Sequence, residues 1–192
     1  MGQGLSTTSY AILGLLVFEG QESPGMTGYE VKQRADRTLR FYWVAPAMSQ
    51  VYSELARLAD AGLVTASLVG PGGRRDRRYR ISPDGLARLR EWQTTSEPEF
   101  PILKHPVALR LLMGSISSPD AARAMLTDYR RTLAERRAEL SAVRESLADR
   151  PEFAYPALVA DWGLAYYASE DAIVAELSER LPAADGSGAS DS

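Results

Sequence analysis

Five arginines crowd into seven residues: Arg74, Arg75, Arg77, Arg78 and Arg80, with only Asp76 set against them. They follow Gly70-Pro71-Gly72-Gly73, a run that cannot continue a strand and marks a tight turn. Guanidinium groups massed around a glycine tip are bidentate donors for phosphate oxygens, so the chemistry they suggest is the binding of a polyanion. A nucleotide-binding loop is not expected, because no Gly-Lys-Ser/Thr follows the glycines and no helix starts there. Other chemistry is thinly represented. The 192 residues include no cysteine and one histidine, His105. Disulfides, thiol nucleophiles, iron–sulfur clusters, cysteine-type zinc, His-rich metal sites and two-histidine catalysis are excluded. Asp128 and Asp161 are carboxylates with no partner at short spacing. No cofactor, no metal and no enzymatic activity are expected. His105 sits between Lys104 and Pro106 in the linker, a candidate pH sensor against the simpler reading that a lone exposed histidine does nothing.

Charge is unevenly distributed along the chain. Residues 1–96 carry 12 Lys+Arg and 9 Asp+Glu, a net of +3, and residues 97–192 carry 10 and 16, a net of −6. The overall −3 therefore conceals a mildly basic first half, which points to a polyanion partner for that half. The longest apolar run, Tyr10 to Phe18, is nine residues, too short to span a bilayer. It lacks a basic flank and a small-residue cleavage site. A soluble, cytoplasmic chain without membrane contact is the expectation.

The first half reads as helix, helix, helix, strand, turn, strand, helix. Ser6-Thr7-Thr8 can cap a helix over about 7–19, whose Ile12, Leu13, Leu15 and Leu16 form an apolar face ending at Gly20. Residues 21–26 read as a loop. Thr27 and Glu30 form a capping-box pattern for a second helix, with Tyr29, Val31 and Ala35 supplying apolar contacts to about Asp36. Residues 38–45 are aromatic and irregular. Pro46 suits the first position of a third helix. Its apolar face comprises Met48, Val51, Tyr52, Leu55, Leu58 and Ala59, and Gly62 is its left-handed C-terminal cap. Residues 63–69 and 77–81 read as the arms of a hairpin, with Tyr79 and Ile81 on one side. Ser82-Pro83 opens a fourth helix bearing Leu86, Leu89 and Trp92.

Three helices followed by a glycine-tipped hairpin form a winged helix. The third helix fits the DNA major groove, and its outer side presents Ser49, Gln50, Ser53 and Arg57. Ser49 and Gln50, near its start, are candidates for base edges, and Arg57 for the backbone. Arg74, Arg75, Arg77 and Arg78 of the hairpin are candidates for phosphate or minor-groove contact.

Residues 97–106 hold three prolines and read as a linker. A short helix follows over 107–113, then a long one from Ser117-Ser118-Pro119-Asp120 with nothing to break it before Pro151. Leu126, Leu133, Leu140 and Leu147 are spaced by seven, with Ala122, Tyr129, Arg136 and Val143 between them, a heptad seam with one polar layer. A helix of that length needs a partner surface. A second copy is favoured, with Leu126, Tyr129, Leu133, Leu140, Val143 and Leu147 as dimerisation residues. Arg136 would pair with Glu135 or Glu139, or reach water. A last helix spans about 156–181, and residues 182–192 form a disordered Gly/Ser/Asp-rich tail. Trp92, Trp162 and Tyr166, with Tyr167, are candidates to line an apolar effector cleft, against the simpler reading of core or interface rings.

The chain resembles the PadR family of bacterial transcriptional regulators. The resemblance rests on Ala11-Ile-Leu-Gly-Leu-Leu16 with Gly28-Tyr29-Glu30, and on Ser49-Gln-Val-Tyr52, Leu55, Leu58 and Ala61-Gly-Leu-Val64. It continues in Arg77-Arg-Tyr-Arg-Ile81-Ser-Pro-Asp-Gly85 and, more loosely, in 106–113, 119–126 and Gly163-Leu-Ala-Tyr166. The loop over 21–26 is longer than the family's usual link. The resemblance implies a homodimeric DNA-binding repressor of an inverted-repeat operator, released by a small aromatic or apolar effector. The expected architecture is mainly α with a small β-hairpin: a winged helix-turn-helix over 1–96, a linker over 97–106 and a helical dimerisation domain over 107–181. The alternatives are a winged helix used as a protein-interaction module and, far behind, an all-α enzyme.

Overall fold

The computed structural model describes residues 4–18, 23–69, 76–102, 104–147 and 150–183. The chain divides into two compact units, Met1–Phe100 and Pro101–Ser192. In the first, the order is α1 (Thr7–Val17), β1 (Met26–Thr27), α2 (Gly28–Thr38), α3 (Met48–Asp60), β2 (Val64–Val69), β3 (Asp76–Ile81) and α4 (Pro83–Thr95). The strands form one antiparallel sheet in the order β1-β3-β2. Val64 pairs with Ile81 and Val69 with Asp76 across the hairpin. Its Gly-Pro-Gly-Gly tip, Arg74 and Arg75 lie outside the described residues, as does the tail over 184–192.

Helix starts follow the capping chemistry. Ser6 Oγ accepts the Ser9 N–H at 3.1 Å, and Ser82 Oγ accepts the Gly85 N–H at 3.0 Å. Thr27 and Glu30 complete a reciprocal box: the Glu30 N–H donates to Thr27 Oγ1 at 3.2 Å, and the Thr27 N–H to Glu30 Oε2 at 2.7 Å. Gly62 takes φ of 72°, a left-handed turn that ends α3. The core comprises Ile12, Leu13 and Leu16 from α1, Val31 and Ala35 from α2, Val51, Leu55 and Leu58 from α3, Val64 and Tyr79 from the sheet, and Leu89 from α4. Trp92 packs on this core with its ring stacked on Tyr10 at 4.6 Å.

Four local readings change. Met26–Thr27, at the end of the expected loop and the expected helix cap, is a strand paired with Tyr79 and Arg78 of β3. Two residues are too few for an alternating pattern, so only the pairing reveals them. α3 begins at Met48, not Pro46: Ala47 is extended at ψ 157°, and the Gln50 side chain accepts its N–H at 3.0 Å. Tyr52, expected on the buried face of α3, is 48% exposed, and its ring lies over Gly28, where a Cβ would come within 2.4 Å. Tyr29 is likewise exposed, its hydroxyl accepting from Gln33 at 2.9 Å.

The second unit contains α5 (Pro106–Leu112), α6 (Pro119–Ser146) and α7 (Ala154–Glu179). α7 runs back along α6, pinned by Arg144–Asp161 at 2.8 Å and Arg130–Asp171 at 2.7 Å. Three of the six residues expected at a dimer seam are already covered within the single chain. Leu126 and Leu140 are each 1% exposed within the single chain, and Leu133 is also buried, while Tyr129, Val143 and Leu147 are half-buried. The apolar ridge of α6 is filled by α7 of the same chain, so these leucines have no area left for a second copy. Gly163 makes this fit possible, since a Cβ there would meet Leu140 Cδ2 at 2.6 Å. Arg136, the polar layer, is exposed and donates to Glu139 at 3.1 Å.

His105 is not a bystander in the linker. Its Nδ1 accepts the Ala108 N–H at 3.1 Å and caps α5, which leaves the ring proton on Nε2, 2.7 Å from Glu170 Oε1 and 3.0 Å from Tyr129 Oη. Burial, reinforced by the Glu170 carboxylate, pushes the Tyr129 phenol well above its ordinary value. His105 thereby fastens the start of α5 to α6 and α7.

Leu140→Ala is expected to destabilise the chain by about 2–5 kcal/mol, through lost burial and a cavity facing Gly163, measured by urea unfolding. At Glu30, the Thr27 N–H is the chief cause holding the carboxyl below its usual range, assisted by Arg78. A carboxyl with a lowered folded-state pKa stabilises above its unfolded pKa and loses that contribution as pH falls through the folded one. The stability gap between wild type and Glu30→Gln is therefore full at neutral pH and closes in acid, checked by unfolding across the carboxylate range.

Candidate nucleic-acid interface

With Val51, Leu55 and Leu58 buried, α3 presents Ser49, Gln50, Tyr52, Ser53 and Arg57 on its exposed side. Ser49 and Gln50 occupy its first turn, where side chains of a groove-seated helix reach base edges. Gln50 is held by its bond to the Ala47 N–H, and Ser53 Oγ donates to the Gln50 carbonyl at 3.0 Å. Both amide and hydroxyl are close to the start of the helix and carry no charge of their own, which suits hydrogen-bond readout better than backbone attraction.

Arg57 is otherwise engaged. Its Nη2 donates to Glu54 Oε2 at 2.6 Å and to the Ser9 hydroxyl. Ser9 is fully buried and donates to the same Glu54 oxygen at 2.7 Å. This three-membered bond set ties α1 to α3. Arg78 is also committed within the chain: Nη1 donates to the Gly25 carbonyl at 2.6 Å and pairs with Glu30 at 3.2 Å. It locks β3 to the junction of β1 and α2. Arg77, the neighbouring residue, is exposed, its guanidinium 5.5 Å from the Tyr79 ring centroid. Alternation along β3 explains the split, since successive side chains leave opposite faces.

The arginine cluster was legible in the sequence, but which of its members bond within the chain was not. The aromatic stretch before α3 was also missed as surface. Tyr42, Trp43 and Val44 are exposed and, with Arg40, Phe41, Pro46, Thr8 and Gln50, line an apolar concavity of about 490 Å³ beside the first turn of α3. Three consecutive large residues left in water were the available signal.

The three rings considered for an effector fall in different units. Trp92 of the first is occupied by its stack on Tyr10. Trp162 and Tyr166 of the second lie on the outer side of α7, and Trp162 is 76% exposed. Among the described residues no group of three or more His, Asp or Glu could hold a metal ion, and no helix is long and apolar enough to cross a membrane.

Residues 103–181 match the family model described as the virulence activator alpha C-terminal region. The negative transcriptional regulator PadR of Bacillus subtilis is 28% identical over 138 residues, 71% of each chain. A crystal structure of that PadR with operator DNA is similar at a TM-score of 0.78 and 23% identity, covering 92% of this chain and 100% of that one. Its complex with p-coumaric acid gives 0.70 at 23% identity, covering 90% and 96%. The Vibrio cholerae virulence activator AphA gives 0.66 at 19% identity, covering 90% and 96%. The structures agree on the fold, and the two sequence matches cover both the wing-bearing unit and the helical one. With a winged helix and a C-terminal region of the virulence-activator type, the chain shares the fold of the PadR structures and is similar in sequence to PadR over 71% of its length.

Proposed function

We propose that the chain is a homodimeric, sequence-specific DNA-binding repressor that recognises an inverted-repeat operator and is released by a small aromatic or apolar effector. The observation that carries the proposal is the exposed, uncharged first turn of α3, held on a fully packed core beside an arginine-bearing hairpin. Ser49, Gln50 and Ser53 read base edges. Arg77, with Arg74 and Arg75 of the hairpin, holds phosphates. The bonds of Arg57 and Arg78 within the chain make them positioning residues instead of DNA contacts. The repressive sign and the effector class are supported by PadR, a negative regulator with a p-coumaric acid complex.

A two-fold operator requires a two-fold protein. The proposed dimer surface is the outer stripe of α7, where Tyr155, Leu158, Trp162, Tyr166 and Ile173 are exposed at helical spacing. An apolar stripe of that length standing in water is a mark of an interface.

The test is a mobility-shift titration on the DNA upstream of the chain's own gene, at two salt concentrations with unrelated competitor. Tight binding that survives the competitor is expected, and weak binding equal on both DNAs would replace the proposal with a protein-interaction module. Arg77→Ala is expected to weaken binding on all sequences and lower the salt slope by about 1, while Gln50→Ala changes preference among operator variants. Arg57→Ala, by contrast, lowers unfolding stability. Trp162→Asp is expected to shift the chain to monomer in sedimentation and to lower operator affinity without unfolding it.

A further inference from the structure

The cap of α5 differs in chemistry from the others. Ser6, Thr27, Ser82 and Ser118 cap α1, α2, α4 and α6 with a hydroxyl oxygen, which accepts a hydrogen bond at any pH. α5 is capped by a ring nitrogen, His105 Nδ1, which accepts the Ala108 N–H at 3.1 Å. An imidazole nitrogen accepts only while it carries no proton. The helix has seven residues and none of them is buried, so its first turn leans on this cap more than on packing.

The other edge of the ring is enclosed. Nε2 lies 2.7 Å from Glu170 Oε1 of α7 and 3.0 Å from Tyr129 Oη of α6. The His105 and Glu170 side chains are 13% and 14% exposed. Among the described residues no lysine or arginine pairs with Glu170. Tyr129 donates to the same Glu170 oxygen at 3.3 Å, and burial, reinforced by that carboxylate, raises its phenol so that it keeps its proton. Tyr166, one turn before Glu170 on α7, is raised in the same way, and Tyr167 also faces Tyr129. Lys104 and Arg110, on the segment of His105 itself, are exposed. Arg130 and Asp171, the chain neighbours of Tyr129 and Glu170, are paired with each other at 2.7 Å. The ring therefore faces one carboxylate and a phenol that stays neutral, and imidazole is the side chain whose charge changes between about pH 5 and 8.

We propose that His105 is a proton-operated catch on α5: the neutral ring caps the helix and ties it to α6 and α7, and the protonated ring keeps Glu170 but releases the cap. The proton taken from water occupies Nδ1, so that two N–H groups then face each other where one bond stood. The new charge also stands at the N-terminal end of a helix, where the backbone dipole disfavours a cation. Against both, the imidazolium makes a charge-assisted bond to Glu170 in a place largely withdrawn from water. Glu170 supplies the drive for protonation, and the start of α5 takes the consequence. The catch does not rest on the DNA-binding reading.

The chain holds a single histidine, so its ring resonances report His105 alone. The experiment follows them by NMR in the full chain from about pH 8 to 5, with amide hydrogen exchange at Ala108 corrected for its intrinsic pH dependence. As the ring takes its proton, protection at Ala108 is expected to fall by about 2–30-fold, the equilibrium factor of a lost N-cap. Amides within α6 and α7 are expected to hold their protection. His105→Asn puts a capping oxygen in place of the nitrogen and is expected to keep Ala108 protected across the range. Glu170→Gln removes the charge that favours the imidazolium, and the cap is expected to persist to lower pH. A ring that titrates with Ala108 protection unchanged, or that stays neutral throughout, overturns the catch. So does a loss at Ala108 that survives in His105→Asn, or one shared by all of α6 and α7.

Discussion

Val51, Leu55 and Leu58 lie on one face of α3 wholly withdrawn from water, packed with Ile12, Leu13 and Leu16 of α1. Each such side chain contributes about 1.5–3 kcal/mol of burial, so the helix has no freedom to rotate about its axis. The opposite face is thereby presented in one orientation. Ser9, Glu54 and Arg57 add a polar fastening along the same seam, and because Ser9 is fully buried its hydroxyl must keep those partners. Hydrogen-bond geometry tolerates little displacement, so a helix held this rigidly presents the side chains of its first turn in fixed positions.

The second constraint is the joint between wing and helix. Glu30 serves three partners at once: the Thr27 N–H, the Thr27 hydroxyl and the Arg78 guanidinium. A carboxylate that caps a helix and also holds a strand makes the position of the hairpin depend on the start of α2. It also engages one arginine of the cluster within the chain. Of the arginines on β3, Arg78 joins the strand to the start of α2 and Arg77 stands exposed.

In the second unit the same economy applies to leucines. A heptad ridge on a long helix suits an intermolecular coiled coil and an intramolecular hairpin equally, because both bury the same face. In this chain the ridge lies against α7, where Gly163 stands close to Leu140 and two Arg–Asp pairs join the helices. On α7 itself Tyr155, Leu158, Trp162, Tyr166 and Ile173 remain exposed.

The sequence by itself determined the helix boundaries that carry capping side chains, at Ser6, Thr27 and Ser82, the left-handed stop at Gly62, the apolar faces of α1 and α3, and the arginine hairpin. These are local properties, set by neighbours three or four residues away, and they suffice for the winged helix and for the resemblance it carries. Tertiary structure alone decided the rest. β1 exists because β3 offers it a partner, not because two residues prefer a strand. Tyr52 is exposed because Gly28 and α2 lie beneath its ring, and Pro46 precedes α3 because Gln50 folds back to cap Ala47. Arg57 and Arg78 are engaged within the chain because Glu54, Ser9, Glu30 and Gly25 reach them from one helical turn up to 53 residues away. Periodicity records which face a helix buries; it does not record what covers that face, because the partner is chosen by shape and charge across the fold.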